Sequence, residues 1–423
     1  MVEEQRHLDV IEECKAALAK TSGKEKGPVY LKMGDAYKAL KQNNKALPCY
    51  QEAYDAGQTD PEFIERFAGD LADAGKGEEA LEMLQKAIAL AKDELQLARL
   101  YTKAATVSRL IERYEPGLKM AKTALDAVGR LEGESPEVRK VEAEAQTAIG
   151  LILWRTGDFI KAQQVFEKAL EIYTALNDQK GLADVYNHIG IMYSIGGEPA
   201  KALDFFERSR QILDKARIYI NRGIVRVHAG DFKGAEEDLR TAIKKGHEEG
   251  YKFSVCLAQM DMAEMYLDMD NTVKARTWID LAYKGFLEMD QDPRIAMALE
   301  TMARVQLREG DVKGARINVD KAMEIAKANK AKEIEAWCHY VNGLVVKEEG
   351  DLETARKELE TCLEILKKNN HVRLMGRIYM SLADVNRRLG RKADAKAAAI
   401  DARKVFEKLG AKHMIKRLGL DEF

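Results

Sequence analysis

The sequence predicts an all-α fold, a solenoid of stacked helical hairpins, and three observations carry that prediction. Proline is scarce, 7 in 423 residues, and runs of Val, Ile and Thr that would favour strands are absent. A small residue recurs at Gly34, Ala68, Ala104, Gly150, Gly190, Gly223, Ala263, Ala303, Gly343 and Ala383, at spacings of 34, 36, 46, 40, 33, 40, 40, 40 and 40. Twelve residues after each stands a second small residue, Ala46, Ala80, Ala162, Ala202, Ala235, Ala275, Ala315, Ala355 or Ala395, and only the third unit slips, with Gly117 thirteen on. Paired small side chains at fixed spacing let two helices cross where larger ones would clash.

The stretch YNHIGIMYSIGGEPAKALDFF, Tyr186 to Phe206, shows how each unit is punctuated. One helix stops at Gly196-Gly197 and the next restarts behind Pro199. Gly157-Asp158, Gly230-Asp231, Gly310-Asp311 and Gly350-Asp351 repeat the device: a left-handed glycine ends one helix and an acid opens the next. Pro61, Pro116, Pro136, Pro199 and Pro293 each follow Asp, Glu or Ser at a predicted helix start, where proline loses no helical hydrogen bond and the preceding side chain can cap. Pro48 falls about one turn into its helix and is expected to be tolerated there. Large apolar residues recur four after the second small residue, at Tyr50, Leu84, Phe166, Phe206, Leu239, Ile279 and Leu359, and read as core. A lone hairpin cannot cover its apolar faces, so neighbours must stack and the ends need caps.

These residues resemble the tetratricopeptide repeat. The resemblance is carried by Tyr30, Gly34, Tyr37, Ala46, Tyr50 and Ala53 in the first unit and by Tyr186, Gly190, Tyr193, Ala202 and Phe206 in the fifth, and it covers Gly27 to about Lys408. The 40-residue spacing is similar to the longer-helix variety of kinesin light chains and the bacterial Rap regulators. The resemblance implies a right-handed α-solenoid superhelix of about ten helix-turn-helix repeats. The expected organisation is an N-terminal capping helix over 1–22, repeats one to three over 23–133, repeats four to ten over 134–408, and a C-terminal cap or tail over 409–423. VGRLEGESPEVRK, Val128 to Lys140, lies in the widest spacing and is a candidate hinge.

Charge and motif content narrow the function. With 68 basic and 70 acidic residues the net charge is -2, which gives no global reason to bind nucleic acid or an acidic membrane. The basic residues gather at the end, 15 Lys and Arg against 7 Asp and Glu from Glu364 onward, so single-stranded RNA binding is the least favoured class rather than an absent one. Cys14, Cys49, Cys256, Cys338 and Cys362 are scattered, odd in number and never in a CxxC pair, which predicts buried thiols in a reducing compartment. The start, MVEEQRHLDV, lacks the pattern of an export signal, and the longest apolar run, Ala148 to Trp154, is far below the roughly 20 residues of a membrane span. A soluble, cytoplasmic chain is expected.

AGKGEE at Ala74 to Glu79 lacks the Ser or Thr and the preceding strand of a phosphate loop. DMDNT at Asp268 to Thr272 lacks the glycine and terminal glutamate of a calcium loop. No catalytic residue, metal ligand or cofactor is expected, and the reading is non-enzymatic.

The family resemblance implies that the first helix of each hairpin lines a concave surface and that its second, fifth, ninth, twelfth and thirteenth positions meet the ligand. That rule selects Leu151, Trp154 and Arg155 in the fourth unit, Asn187, Ile191 and Ile195 in the fifth, and Ile220, Ile224 and Val227 in the sixth. They are apolar for a wall facing water. Either they form a groove for an amphipathic helix or apolar peptide, or longer helices shift the register and several are core. Arg304, Arg308, Lys347, Arg377, Arg387 and Arg388 hold corresponding later positions, either as a basic concavity suited to an acidic peptide or a terminal carboxylate or as solvated arginines. The carboxylate clamp for chaperone tails is disfavoured: its positions hold Asn187, Ile191, Asn221, Leu257 and Asp261, of which only Asn221 fits. Polar residues at the eleventh position, Arg226, Gln306 and Asn386, have no account at this level. The expected function is a scaffold or adaptor that binds a peptide segment or partner protein in the concave groove. The alternative is a regulatory sensor that binds a small ligand or signalling peptide and changes its grip on a second protein.

Overall fold

The structure, a computed structural model, describes residues 2–40, 42–133, 135–289, 291–329, 331–368 and 371–418. Among them are 22 α-helices, a 3₁₀ turn at Gly23–Glu25 and no strand. After α1 (Val2–Leu18) come the hairpins α2/α3 (Lys26–Ala39, Asn43–Asp55), α4/α5 (Pro61–Asp73, Gly77–Ala89), α6/α7 (Glu94–Leu110, Tyr114–Gly129) and α8/α9 (Pro136–Arg155, Phe159–Ala175). Next are α10/α11 (Gln179–Ile195, Pro199–Ile212), α12/α13 (Ala216–Ala229, Phe232–Glu249) and α14/α15 (Lys252–Asp268, Thr272–Leu287). The last are α16/α17 (Asp292–Glu309, Val312–Ala328), α18/α19 (Lys332–Glu349, Leu352–Lys368) and α20/α21 (Val372–Arg388, Lys392–Leu409), followed by the short α22 (Lys412–Arg417). That makes ten hairpins, and the recurring small residues Gly34 to Ala383 fall one to each first helix.

The chain forms two compact units, Met1–Asn177 and Asp178–Phe423. The first holds α1 to α9 and the second α10 to α22. The Val128 to Lys140 turn lies inside the first unit, and its Glu134 falls outside the described residues, as do Met1 and residues 419–423 of the expected caps.

Each hairpin is closed by one recurring contact. A Cβ built on Gly34 would sit 2.6 Å from the ring of Tyr50, on Gly150 2.7 Å from Phe166, on Gly190 2.6 Å from Phe206, and on Gly223 2.8 Å from Leu239. In every case the facing residue comes sixteen later on the second helix, and all four are fully buried. Where the first helix carries alanine instead of glycine, no aromatic stands sixteen later: Leu84, Met120, Ile279, Val319 and Ala399 follow Ala68, Ala104, Ala263, Ala303 and Ala383, while leucine also meets Gly223 and Gly343. Aromatic rings thus stand opposite glycine alone, a trade of volume in keeping with close packing. The last hairpin, with alanine on both sides, puts its glycine–aromatic contact elsewhere, Gly376 against Phe406.

The hinges follow the sequence pattern with two differences. Gly157, Gly197, Gly230, Gly310 and Gly350 all adopt positive φ, between 79° and 97°, which favours glycine there, although Glu112, Asn177 and Asp270 also adopt positive φ at helix ends. Asp158, Asp231 and Asp311 accept hydrogen bonds from the backbone N–H three residues on, as do Asp178 and Ser135. Pro116, however, stands inside the first turn of α7, whose cap position is Arg113, and Pro293 follows Asp292, which is already helical. Neither preceding acid caps; the prolines are accommodated because first-turn N–H groups have no intrahelical acceptor to lose. Pro48 sits within α3 without ending it.

Two of the polar eleventh-position residues also gain an explanation. Arg226 donates from Nη1 to the Gly234 carbonyl at 2.9 Å and pairs with Asp238 at 3.0 Å, latching the end of α12 onto the start of α13. Gln306 donates to Asp311 at 3.2 Å and accepts from Asn318 at 2.7 Å, doing the same for α16 and α17. Asn386 is buried, and nothing explains its unpartnered Oδ1.

The volume trade predicts a rescue. Gly190→Ala gains helix propensity of up to about 1 kcal/mol but drives its methyl into Phe206, and overpacking of about 1–3 kcal/mol should win. Adding Phe206→Leu, which recreates the Ala68 and Leu84 arrangement, should recover most of the loss. Urea midpoints of the single and double variants check this.

Candidate functional site

The first helices of the second unit face a common concavity, and the array turns far enough for α20 to meet α10. Arg373 donates from Nη1 to Ser194 Oγ at 2.9 Å across a separation of 179 residues. Beside this contact lies a cavity of about 290 Å³ walled by α12, α14, α16, α18 and α20. Its apolar lining is Ile220, Ile224, Val227, Leu257, Met260, Met297, Trp337 and Leu374. Interspersed on the same helices are Asn221, His228, Asp261, Glu264, Arg294, Glu300, Thr301, Glu333 and Arg373.

The charges are arranged in levels. Arg294, Glu333 and Arg373 lie in the first turns of α16, α18 and α20, where helix N-termini add positive potential. Asp261, Glu264 and Glu300 lie well along α14 and α16. Alternate helices of an antiparallel array run the same way, so the six residues between Arg294 and Glu300 separate the two levels by about 9 Å.

Counter-ions are unevenly supplied. Arg304 approaches Glu264 at 3.0 Å and Glu300 at 3.7 Å, and Glu333 meets His371 Nε2 at 3.3 Å. Arg294 contacts only the Met297 sulfur, at 3.1 Å, and the Phe253 ring, while Arg373 leaves its Nε without a hydrogen-bond partner. Neither guanidinium forms a carboxylate pair among the described residues, and Asp261 forms neither an ion pair nor a hydrogen bond there. Glu300 accepts from Thr301 at 3.1 Å through Oε2, leaving Oε1 without a hydrogen bond in a side chain that is 4% exposed.

Proton affinities follow from burial. Burial pushes the Asp261 carboxyl well above the usual range, with Glu264 adding to it against Arg373 and Arg294. Burial likewise lifts Glu300 to about 7, against the pull of Arg304. His228 is driven well below its ordinary value by burial and then by Arg373, Arg377 and Arg304, so it is neutral at pH 7. Burial lowers Arg294 and Arg373 as well. Burial also opposes the charge on Arg304, but Glu264 and Glu300 more than restore it.

The groove candidates do not gather in one place. Ile220, Ile224 and Val227 line the cavity. Asn187, buried on α10, accepts from Asn221 at 2.8 Å and so orients a cavity residue. Ile191 is half-buried and packs with Ala202, Phe206 and Ile218, and Ile195 is buried. Leu151 and Trp154 are buried in the first unit, where Arg155 lies over the Trp154 ring at 5.0 Å.

The basic candidates are matched by acids. Arg308 pairs with Asp270 at 2.7 Å, Lys347 with Asp384 at 3.1 Å, and Arg387 and Arg388 with the same Asp384 at 3.2 and 3.3 Å. Arg377 pairs with buried Asp268. Arg304, Arg308 and Arg377 border a second cavity of about 90 Å³, which α22 helps to wall through Met414 and Arg417. There Arg417 donates to the Asp268 carbonyl at 2.8 Å and pairs with Asp270, while His413 meets the Phe232 ring edge-on at 5.0 Å. The basic end is therefore met both by acids of its own hairpin, such as Asp384, and by acids of earlier hairpins, such as Asp268 and Asp270.

Sequence reasoning missed Arg294, Arg373, Glu300 and Trp337 as cavity residues. A signal for the site was nonetheless present: the register used for the carboxylate clamp selects Asn221, Leu257 and Asp261, and all three line the cavity.

Comparison with known proteins agrees with the repeat. Residues 141–215 match the family model described as tetratricopeptide repeat, and residues 29–93 match one described as YpiA-like, C-terminal tetratricopeptide repeats. A tetratricopeptide repeat-containing protein of Methanocaldococcus jannaschii is 25% identical over 139 residues, which are 33% of this chain and 22% of that one, so the match spans about a fifth of the relative. Among solved structures, a Rap protein complexed with Competence and Sporulation Factor superposes with a TM-score of 0.61 at 13% identity, over 84% of this chain and 99% of the other. The Rap conjugation gene regulator of plasmid pLS20, in complex with the Phr* peptide, gives 0.56 at 14% identity, over 82% and 95%. Aspartyl phosphate phosphatase F from Bacillus subtilis gives 0.55 at 10% identity, over 82% and 94%. At such identities the likeness concerns the fold. With ten hairpins in one register, two stretches matched by repeat models and a repeat-containing relative, this chain carries tetratricopeptide repeats.

Proposed function

We propose that the protein is a non-enzymatic interaction module whose second unit holds a peptide segment, from a partner protein or free, in the cavity between α12 and α20. The observation that carries this reading is the composition of one concave wall: apolar side chains among Arg294, Arg373 and Asp261, charged groups that form no salt bridge among the described residues. Burying such groups unpaired costs free energy, and a ligand that pairs them recovers it. A peptide offers apolar side chains, hydrogen-bonding backbone and charged groups together, which matches that wall better than a purely apolar ligand does. Two of the solved structures that share the fold carry a peptide or a named factor in their complexes, which supports the same direction.

The second reading, a sensor that changes its grip on another protein, is favoured by the Arg373 to Ser194 bond. A ligand that engages Arg373 acts on the contact joining α20 to α10, and a ligand shifts a conformational equilibrium only through such differential contacts.

Random dodecamer peptides selected by display on the full chain test the groove. Selected peptides should bind the wild type and lose at least about tenfold in affinity on Ile224→Glu. Ile317→Glu, at a site 67% exposed on outer helix α17, should leave affinity unchanged. Circular dichroism verifies that both variants keep their helices; equal affinity for the folded Ile224→Glu variant would move the site elsewhere.

The raised Glu300 value sets a pH dependence. The folded carboxyl holds its proton more tightly than the unfolded one, so its support is complete below the ordinary value of 4.5 and is lost as pH rises to about 7. Glu300→Gln cannot lose a proton, so its melting temperature relative to wild type should climb through that window and level off above it. Thermal denaturation from pH 4.5 to 8 provides the check.

A further inference from the structure

Given that the cavity is a ligand site, its charges say what kind of ligand it takes. At one level stand the guanidinium groups of Arg294 and Arg373, backed by helix N-termini; neither forms a salt bridge among the described residues, although Glu333 and Asp261 attract both through space. About two turns deeper stand Asp261, which forms no salt bridge among the described residues, and Glu264 and Glu300, which share the single guanidinium of Arg304. Glu300 Oε1, in a side chain that is nearly fully buried, has no hydrogen-bond donor. The other charged groups nearby are already engaged, Glu333 by His371 and Arg377 by Asp268. The two ends of the cavity thus ask for opposite charges.

We infer that the cavity takes a short zwitterionic peptide segment, with a terminal carboxylate held by Arg294 and Arg373 and a basic side chain held by Asp261 and Glu300. The apolar wall of Ile224, Met297 and Trp337 covers the residues between. The separation of about 9 Å along the helix axes corresponds to about three extended residues, and a cavity of about 290 Å³ admits a segment of that order while excluding a folded element. The same geometry disfavours an internal stretch of a longer chain, which has no carboxylate to offer at the arginine level. This is not the chaperone-tail clamp, because Asn221 alone matches its pattern and its basic positions hold Asn187, Leu257 and Asp261.

The probes are N-acetylated tripeptides with Lys first and Leu, Ile or Met at the second and third positions, supplied as a pool with a free carboxylate. A matched pool is C-amidated, and another has norleucine in place of Lys. Binding to the full chain is read as a rise in melting temperature and as a change in tryptophan fluorescence. The free-acid lysine pool should bind at least about tenfold more tightly than either matched pool. Arg294→Gln and Arg373→Gln should each shrink the acid-over-amide preference, and Glu300→Gln should shrink the lysine-over-norleucine preference. Arg294→Gln serves as the second arginine test because Arg373 also holds Ser194. Equal binding of acid and amide pools by the wild type overturns the charge assignment while leaving peptide binding intact. No binding by any pool, with the selected dodecamers still bound, overturns the inference alone; loss of both overturns the reading of the cavity as well.

Discussion

The structure depends on how closely two helices of a hairpin can approach. A glycine or alanine on the first helix and, in most hairpins, a bulky side chain sixteen residues later on the second form one pair, in which aromatic rings occur only with glycine. Because the interior is close-packed, a methyl gained on one side must be removed from the other. The fitted pairs set the spacing within hairpins, stacking then orders the first helices side by side, and that order gives the second unit a concave wall. The cavity is a downstream result of small residues that never touch a ligand.

The wall itself shows a division of labour along each first helix. The residues at the crossing with the second helix are small and their facing partners apolar, with charged pairs such as Arg226 and Asp238 set apart from the crossing. Those facing the concavity vary from hairpin to hairpin, from Asn221 through the acids Asp261 and Glu300 to Trp337 and Arg373. Where the same face meets another part of the chain, acids answer bases, as Asp268 answers Arg377 and Asp270 answers Arg417. Where the wall opens on the cavity, Arg294, Arg373 and Asp261 form no salt bridge among the described residues. That contrast within one structure separates residues that hold the array together from residues available to something else.

The fold was legible in the sequence because it rests on local regularities: period, paired small residues, glycine hinges and acid caps. All ten hairpins followed from them. The site was legible only in part. Ile224 and Val227 fell in the cavity because the inner-helix register is right for α12. Leu151, Trp154 and Ile195 turned out buried, since helices of 17 to 20 residues carry their C-terminal ends past the open part of the groove and into packing. Arg304 and Arg377 were read as a basic surface because their partners lie 40 and 109 residues away, distances no local pattern reports. Arg294 and Arg373 escaped notice for a related reason. A first-turn arginine looks like ordinary solvated surface until the neighbouring helices are seen to withhold a counter-ion.

The bond between Arg373 and Ser194 changes what kind of polymer the second unit is. A repeat array whose members touch only their neighbours can fray from either end, each hairpin leaving with its own local stability. Linking the first inner helix to the last converts that line into a loop, and an end can no longer peel away without breaking a contact made across almost half the chain. Such a closure carries the largest loop entropy in the unit and is expected to form late in folding, after the hairpins it joins. The closure therefore ties the persistence of the end hairpins to that of the whole circle.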